Sequence, residues 1–449
     1  MESSEFNRRD FIRGGSIATL MTFLGGVEIS AQTEPAKPAA ADDSDRPKVN
    51  CGIIGFGNWG REIVATLARL PQARVGMVSD NYEATLKRAA KAAPGATAVK
   101  DYRKILDNQD IQAVLVATPS HQHKDIVIAA LQAGKHVYCE APLATTIDDA
   151  RAIAKAAKAS PRQYFQAGLL YRSDPQRHFL LPFIRAGALG KTVMARAQWH
   201  KKQSWRATSP NPAREQEMNW RLNNATSGGL ICEYGIHQLD SAGWFIGERP
   251  VAITGFGSVL FWKDGREVPD TIQALVEFPG GVNLIYHATL ANSFDSEYEM
   301  YHGSDAAVML RDGKAWMFKE VDAPLLGWEV YANKDSFYKE TGIALSANAT
   351  KLNKTTGKPG ESDTPTPLFS ALDAFVTNAN EIGTAVEDFK ASYDIKDTKA
   401  LTEYLANIKK QPGAGYQEAL DAVIIAIKAN EAILKGQKVN LPKELFEPV

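Results

Sequence analysis

Residues 49–61 read Val-Asn-Cys-Gly-Ile-Ile-Gly-Phe-Gly-Asn-Trp-Gly-Arg, and the fold of the first part of the chain follows from them. A β-rich run ends at Gly55, and an amphipathic helical pattern, Arg61 to Leu70, begins directly afterwards. Gly55, Gly57 and Gly60 therefore form Gly-x-Gly-x-x-Gly in a strand–turn–helix setting. Glycine at 55 permits a tight turn, glycine at 57 lets the backbone approach a pyrophosphate, and glycine at 60 lets the helix pack close to the strand. The turn, with Phe56, Asn58 and Trp59 between its glycines, would present unpaired N–H groups and a helix N-terminus to phosphate charge.

Working outward, a second strand, Arg74 to Ser79, ends at Asp80, 20 residues beyond Gly60. A carboxylate at that spacing accepts from both ribose hydroxyls and repels a 2′-phosphate, so NAD is expected over NADP. Lys87 and Arg88 leave room for NADP, and the alternative for Asp80 is a helix cap. Helical patterns at Tyr82–Ala93, Tyr102–Asn108 and Lys124–Ala133 alternate with strands at Ala113–Ala117 and His136–Cys139. Such alternation predicts an α/β, doubly wound parallel sheet with ligands at the carboxyl ends of its strands. Thr118-Pro119-Ser120 and Glu140-Ala141-Pro142 fall at two of those ends. His121 and His123 follow the first and would line the nicotinamide side, although lone histidines there are more often structural.

The 449 residues call for two domains with appendages. The 51 basic and 52 acidic residues leave a formal net charge of −1. That balance gives no pull toward nucleic acid or an anionic membrane and suits a neutral substrate. Cys51, Cys139 and Cys232 form no Cys-x-x-Cys pair, so neither a metal site nor a disulfide framework is expected.

The N-terminus carries Arg8-Arg9 followed by Phe11-Ile12, then an uncharged, mostly apolar run from Gly14 to Val27. This layout is similar to a twin-arginine export signal over residues 1–31, with a polar, Pro/Ala-rich linker at 32–47. The apolar run is shorter than the ~20 residues of a spanning helix. The expectation is an exported, periplasmic protein delivered by the twin-arginine machinery.

Several segments together resemble the family of glucose–fructose oxidoreductase, inositol dehydrogenase and MocA-type proteins. They are the glycine turn, Ala117-Thr118-Pro119-Ser120, the run Ala133 to Pro142, and Ser227-Gly228-Gly229-Leu230-Ile231-Cys232-Glu233-Tyr234-Gly235-Ile236-His237-Gln238-Leu239-Asp240. The resemblance implies a Rossmann domain at 48–170 and an α+β domain with an open, mostly antiparallel sheet at 171–365. Helices at 366–449 would pack back on the Rossmann domain, and the sheet would serve self-association into a homo-oligomer. The sequence itself reads as strands at Thr192–His200, Val251–Trp262, Thr271–Phe278 and Val282–Leu290. Pro279-Gly280-Gly281 makes a hairpin, Lys354–Pro367 a polar loop, and Tyr416–Leu434 a helix.

The resemblance also implies a chemistry, with two departures. The family pattern Glu-Lys-Pro, whose lysine assists proton transfer, here reads Glu140-Ala141-Pro142. The family's aspartate and histidine are here Glu233 and His237, four residues apart. On a helix these two would share a face and hydrogen-bond, raising the imidazole pKa and orienting His237 as general base. The alternative is a helix-face ion pair. For the missing lysine, His237 acts alone, Lys201 or Lys202 replaces it, or the reaction is not ordinary dehydrogenation. Related proteins use bound NAD in a redox-neutral cycle that cleaves a glycosidic bond, and a catalytically silent dinucleotide-binding protein is a third reading. Tyr171 and Tyr234 are spare acid/base candidates. Trp205, Arg206, Trp220 and Arg221 form a candidate wall for a carbohydrate substrate, since indole faces stack on sugar rings and Arg bonds hydroxyls, or else an oligomer interface.

Overall fold

The glycine turn sits at the carboxyl end of a central strand of a parallel sheet. In the computed structural model the described residues are 48–324, 333–334, 342–345 and 365–449. The expected export signal, the linker and most of the expected loop Lys354–Pro367 lie outside them. The first domain runs β1 (Val49–Ile54), α1 (Asn58–Leu67), β2 (Ala73–Ser79), α2 (Glu83–Ala92), β3 (Thr97–Val99), α3 (Arg103–Asp107), β4 (Ala113–Val116), α4 (His123–Gln132), β5 (His136–Glu140), α5 (Ile147–Lys158) and β6 (Phe165–Gly168). All neighbours are parallel, in the order β3-β2-β1-β4-β5-β6. Strand β4, an unbroken apolar run, and strand β5 are buried along their whole length, as strands covered on both faces are. The strand order reverses between β1 and β4, which opens a crevice above their carboxyl ends. Gly55 N–H donates to Ser79 at 2.9 Å and Ala117 N–H to Ile54 at 2.8 Å, so the ends of β1, β2 and β4 meet there.

The second domain contributes α6 (Pro175–Arg185), β7 (Thr192–His200), α7 (Pro212–Met218), α8 (Ile236–Ile246), β8 (Ala252–Ser258), β9 (Thr271–Glu277), β10 (Asn283–Thr289), β11 (Glu297–Gly303), β12 (Ala306–Arg311), β13 (Lys314–Lys319), β14 (Asn333–Lys334) and β15 (Gly342–Leu345). The chain ends in α9 (Pro367–Ser392), α10 (Thr398–Ala406), α11 (Tyr416–Lys435) and β16 (Val439–Asn440). Among the described residues the second sheet runs β14-β15-β13-β12-β11-β7-β10-β9-β8-β16. Only β7 and β10 pair in parallel, so the sheet is mostly antiparallel, as expected. The β9–β10 hairpin turns through Gly280 and Gly281 at φ +75° and +85°, a conformation that favours glycine. Strand β8 stops at Ser258 instead of running to Trp262. The amides of Leu260, Phe261 and Trp262 turn onto the Asp270 carboxylate at 3.0, 2.8 and 2.8 Å.

Alternation in β9 sends Ile272, Ala274 and Val276 inward and leaves Leu275 outside. Phe256, Leu275 and Ile285 are exposed. Helix α9 packs Leu368, Leu372, Phe375 and Val376 against Val49, Ile53, Ile63 and Tyr138 of the first domain. Helix α11 does more: it packs on α5 of the first domain and on β8 of the second.

Candidate active site

The two domains enclose a cleft of about 1730 Å³ over the switch point, well beyond the roughly 300–1,000 Å³ of a single small-ligand pocket. The residues singled out above for the cofactor, the proton chemistry and the substrate wall line it, except Gly60, Lys201 and Lys202. A Cβ on Gly60 would lie 2.1 Å from the Gly55 carbonyl oxygen, so this glycine serves helix–strand contact from below.

The glycine turn suits a dinucleotide. Gly55 has φ +95°, and a Cβ there would meet the Ala117 carbonyl at 2.7 Å, whereas a Cβ on Gly57 would meet nothing within 4 Å. Gly57 is the N-cap of α1, with no capping side chain and no acidic residue in the first turn. Free N–H groups and the helix dipole therefore point into open space, as phosphate binding requires. Asp80 accepts from Phe56 N–H at 3.0 Å and Tyr82 N–H at 2.9 Å. It braces the turn while each carboxylate oxygen keeps acceptor capacity toward the cleft. The N-cap of α2 is Tyr82, not Asp80. Arg88 also lines the cleft, while Lys87 pairs with Glu83 at 2.9 Å on the surface.

His123 has a different role from the one expected. It is 1% exposed, and its ring nitrogens sit 3.0 Å from the Pro142 carbonyl and 2.9 Å from that of Thr118. It ties together the loops after β4 and β5 and has no nitrogen left for a ligand. His121 lines the cleft instead, with Nδ1 unpartnered. Glu140 is buried, and burial pushes its carboxyl up to about 7 against the opposing pull of Trp59, Tyr138 and the Ala141 amide.

The expected Glu233–His237 hydrogen bond does not form. The chain widens into a π-helical turn over Ile231–Gly235 before α8 begins, which interrupts the regular spacing that pairing would need. Glu233 accepts instead from Ser120 Oγ and Ser227 Oγ, both at 3.4 Å, and pairs with Arg221 Nε at 3.5 Å. Burial raises its pKa and Arg221 opposes the rise. His237 Nδ1 is buried without a partner. Burial, then the charge of Arg177, push His237 down to about 4, the reverse of the expected rise.

Lys201 and Lys202 do not line the cleft; Lys202 lies over the Phe261 ring at 5.1 Å. The wall expected for substrate is divided. Trp205 stacks on Tyr234 with ring centroids 5.7 Å apart and leaves Nε1 unpartnered. Trp220 stands 6.0 Å from His121, with Arg221 at 4.5 Å over its ring. Arg206 instead staples residues 201–222, an arm that follows β7, donating to the Asp264 carbonyl and to Glu215, both at 2.8 Å. The same arm carries α7, where Arg214 donates to Asn81 at 3.0 Å and lies 4.7 Å over the Tyr82 ring. It thus clasps the Rossmann domain directly after Asp80.

Gln203, in the Trp- and Arg-rich segment His200–Arg221 expected to form the substrate wall, enters with Nε2 unpartnered. One further cleft residue stands outside the sequence reading. Glu297, at the start of β11, accepts from the Tyr171 hydroxyl, and burial, then Glu299 and Asp312, raise it to about 7. A signal existed: Glu297, Glu299 and Tyr301 alternate with Tyr298, Met300 and His302, a strand pattern with carboxylates on the side of a buried tyrosine.

Known proteins bear on this geometry. The model of an oxidoreductase family with an NAD-binding Rossmann fold matches residues 49–168, and that of a Gfo/Idh/MocA C-terminal domain matches residues 182–308. Together they span more than half of the chain. Levoglucosan dehydrogenase of Pseudarthrobacter phenanthrenivorans is 26% identical over 293 residues, 58% of this chain and 73% of that protein. Inositol 2-dehydrogenase 2 of Saccharopolyspora erythraea is 30% identical over 207 residues, 46% of this chain and 56% of that one. A solved levoglucosan dehydrogenase, in complex with NADH and L-sorbose, superposes with a TM-score of 0.66 at 19% identity, covering 88% of this chain and 100% of the other. That last likeness is one of fold. With its glycine turn, strand order and second sheet all in agreement, the chain belongs to the Gfo/Idh/MocA family of oxidoreductases with an NAD-binding Rossmann domain.

Proposed function

We propose that this protein is an NAD-dependent dehydrogenase acting on a hydroxyl- or keto-bearing carbon of a sugar or cyclic polyol, with His237 assisting proton transfer. The observation that carries the reading is where unpartnered polar atoms collect. Thr118 Oγ1, His121 Nδ1, Glu140 Oε1, Gln203 Nε2, Trp205 Nε1 and His237 Nδ1 are all buried, lack hydrogen bonds, and line one cleft. Buried polar atoms are rarely left so; a hydroxyl-rich ligand would satisfy them. Levoglucosan dehydrogenase, the inositol dehydrogenases and a 1,5-anhydro-D-fructose reductase of Ensifer adhaerens, 27% identical over 270 residues, are named for hydroxylated rings.

NAD would be held at the glycine turn and Asp80, and when bound it supplies the hydride acceptor. His237 is neutral at neutral pH, so its lone pair is free to accept a hydrogen bond from the reacting hydroxyl. Glu233, tied to Ser120 and Arg221, would fix the turn that carries His237. A second reading draws on the arm clasped to Asn81 and Tyr82: a cofactor retained under it suits a redox-neutral cycle that cleaves a glycosidic bond. Delivery by twin-arginine export, with the dinucleotide captured before transport, belongs to the same proposal. So does self-association through the open sheet at Phe256, Leu275 and Ile285.

The test begins with the purified chain, denatured and assayed for released NAD. NADH formation from myo-inositol and levoglucosan, and aglycone release from nitrophenyl glycosides, then separate the two readings. His237→Gln should lower kcat by roughly 10²–10⁴-fold while NAD binding persists. A chain that neither holds nor binds NAD overturns the proposal.

A further inference from the structure

Position 141 is alanine and has no proton to exchange, Lys201 and Lys202 are outside the cleft, and Glu233 is committed to Ser120, Ser227 and Arg221. A second proton-transfer group must come from elsewhere. We infer that Tyr171 and Glu297 form that group: the hydroxyl proton of the substrate passes to the Tyr171 oxygen as Tyr171 passes its own proton to Glu297. The inference rests on the oxidoreductase reading above.

The geometry is specific. Tyr171 lies in the short 3-10 turn Leu170–Ser173, just past the carboxyl end of β6. Glu297 starts β11 in the other domain. Both line the cleft, and the Tyr171 hydroxyl donates to Glu297. The Tyr171 ring stands 5.7 Å from that of His237. The Arg177 guanidinium lies 3.8 Å from the Tyr171 ring centroid. The Nη atoms of Arg177 are spent on Glu299, at 2.7 and 2.9 Å, and on Ser241, at 2.6 Å. Its charged face is thus left to the phenol, where it stabilises negative charge that builds on the ring during transfer. The charged and titratable groups around Glu297 are Glu299 on the same strand, Asp312 after β12 and Tyr171, with Arg177 and His237 beyond the phenol. Burial and the two acidic neighbours bring its exchange to about neutral pH, where an acid/base group works best.

The step balances. In oxidation of an alcohol the O–H bond breaks toward Tyr171, and NAD, when bound, would take the hydrogen and electron pair of the C–H bond that breaks. The phenol O–H bond breaks toward Glu297, which ends as a carboxylic acid, and the carbonyl product leaves. Reduction runs the same path backward. A purely structural pair would dock the two domains and do nothing else.

The experiment uses the full chain with bound NAD and the variants Tyr171→Phe, Glu297→Gln and Glu297→Asp. NADH formation from myo-inositol and levoglucosan is followed from about pH 5 to 9, a range chosen to span the neutral-pH exchange of a tuned acid/base group. Infrared difference spectra of the carboxyl stretch are recorded over the same range. Tyr171→Phe should lower kcat by about 10²-fold with KM nearly unchanged. Glu297→Gln should remove the ionisation near neutrality from the kcat profile, and Glu297→Asp should restore part of the rate and return an ionisation. The spectra should contain a carboxyl band that titrates near neutral pH, vanishes in Glu297→Gln and shifts in Tyr171→Phe. Full kcat in Tyr171→Phe, or a pH profile unchanged in Glu297→Gln, overturns the inference. If neither compound reduces NAD in the unaltered chain, the function is misassigned for those substrates, and the infrared bands still decide the pair: a band unmoved by Tyr171→Phe overturns it.

Discussion

Replacing Glu140 by Gln should change how stability depends on pH. Glu140 is 8% exposed, and its carboxyl rises from the ordinary 4.5 to about 7 chiefly through burial. At about 1.4 kcal/mol per tenfold change in proton affinity, ionising it in the folded protein costs about 3 kcal/mol more than in the unfolded chain. The sign follows from linkage: the raised folded value favours the neutral acid. Its contribution is fully present below pH 4.5 and is lost as pH climbs toward 7. Between roughly pH 5 and 8 the unaltered chain should therefore lose about 2–3 kcal/mol relative to Glu140→Gln. Glutamine keeps the size and one carbonyl oxygen, so any lost contact with Trp59, Tyr138 or the Ala141 amide is a constant offset. All other groups titrate alike in both proteins. Urea unfolding of both at pH 5, 6, 7 and 8 reads the difference directly. Two parallel curves, with a gap constant within about 0.5 kcal/mol, would refute the reasoning, because even surface substitutions shift stability by that much without any titration.

Two further predictions concern the cofactor. Gly55→Ala forces a Cβ onto the Ala117 carbonyl in a left-handed conformation, so it should cost roughly 1–3 kcal/mol of stability and abolish NAD binding. Gly57→Ala meets open space and should leave the melting temperature nearly unchanged while weakening NAD at least tenfold; thermal melts and NAD titrations separate the two effects. Arg214→Ala removes a hydrogen bond to Asn81 and a cation over Tyr82, worth about 1–2 kcal/mol together. It should release bound NAD about tenfold faster in a stopped-flow chase, and an unchanged off-rate would mean the arm does not retain cofactor.

How much was legible in the sequence depended on whether a function rests on backbone or on tertiary contact. The glycine turn, the strand that ends at Asp80 and the Pro279-Gly280-Gly281 hairpin are local backbone requirements, and they stand where the residues placed them. The Thr192–His200 strand has the expected bounds because its alternation is set by one buried face. By contrast, β8 ends at Ser258, short of the expected Trp262, because the side chain of Asp270, eight to ten residues further on, captures three amides, a contact that strand periodicity does not encode. The Glu233–His237 pairing failed for a similar reason. Four-residue spacing predicts a shared face only on a regular α-helix, and the π-helical turn at Ile231–Gly235 carries no simple sequence mark. Arg177 and Glu299 lie 122 positions apart, and no periodicity could join them.

The charges of the cleft form a pattern that explains why its proton chemistry is shared. Glu140 and Glu297 rise to about 7, while His237 falls to about 4, so near neutral pH His237 is uncharged and each carboxyl is poised between its neutral and ionised forms. The formal charges around them come in compensated pairs, Arg221 with Glu233 and Arg177 with Glu299. A site so balanced suits an uncharged polyol and raises no barrier to the positive nicotinamide. It also resists holding a net proton on His237, where burial and Arg177 both disfavour the imidazolium. A proton taken from substrate must then pass to a group that gains by accepting it. Beside His237 the Tyr171–Glu297 pair meets that condition, because protonating Glu297 relieves its repulsion with Glu299 and Asp312.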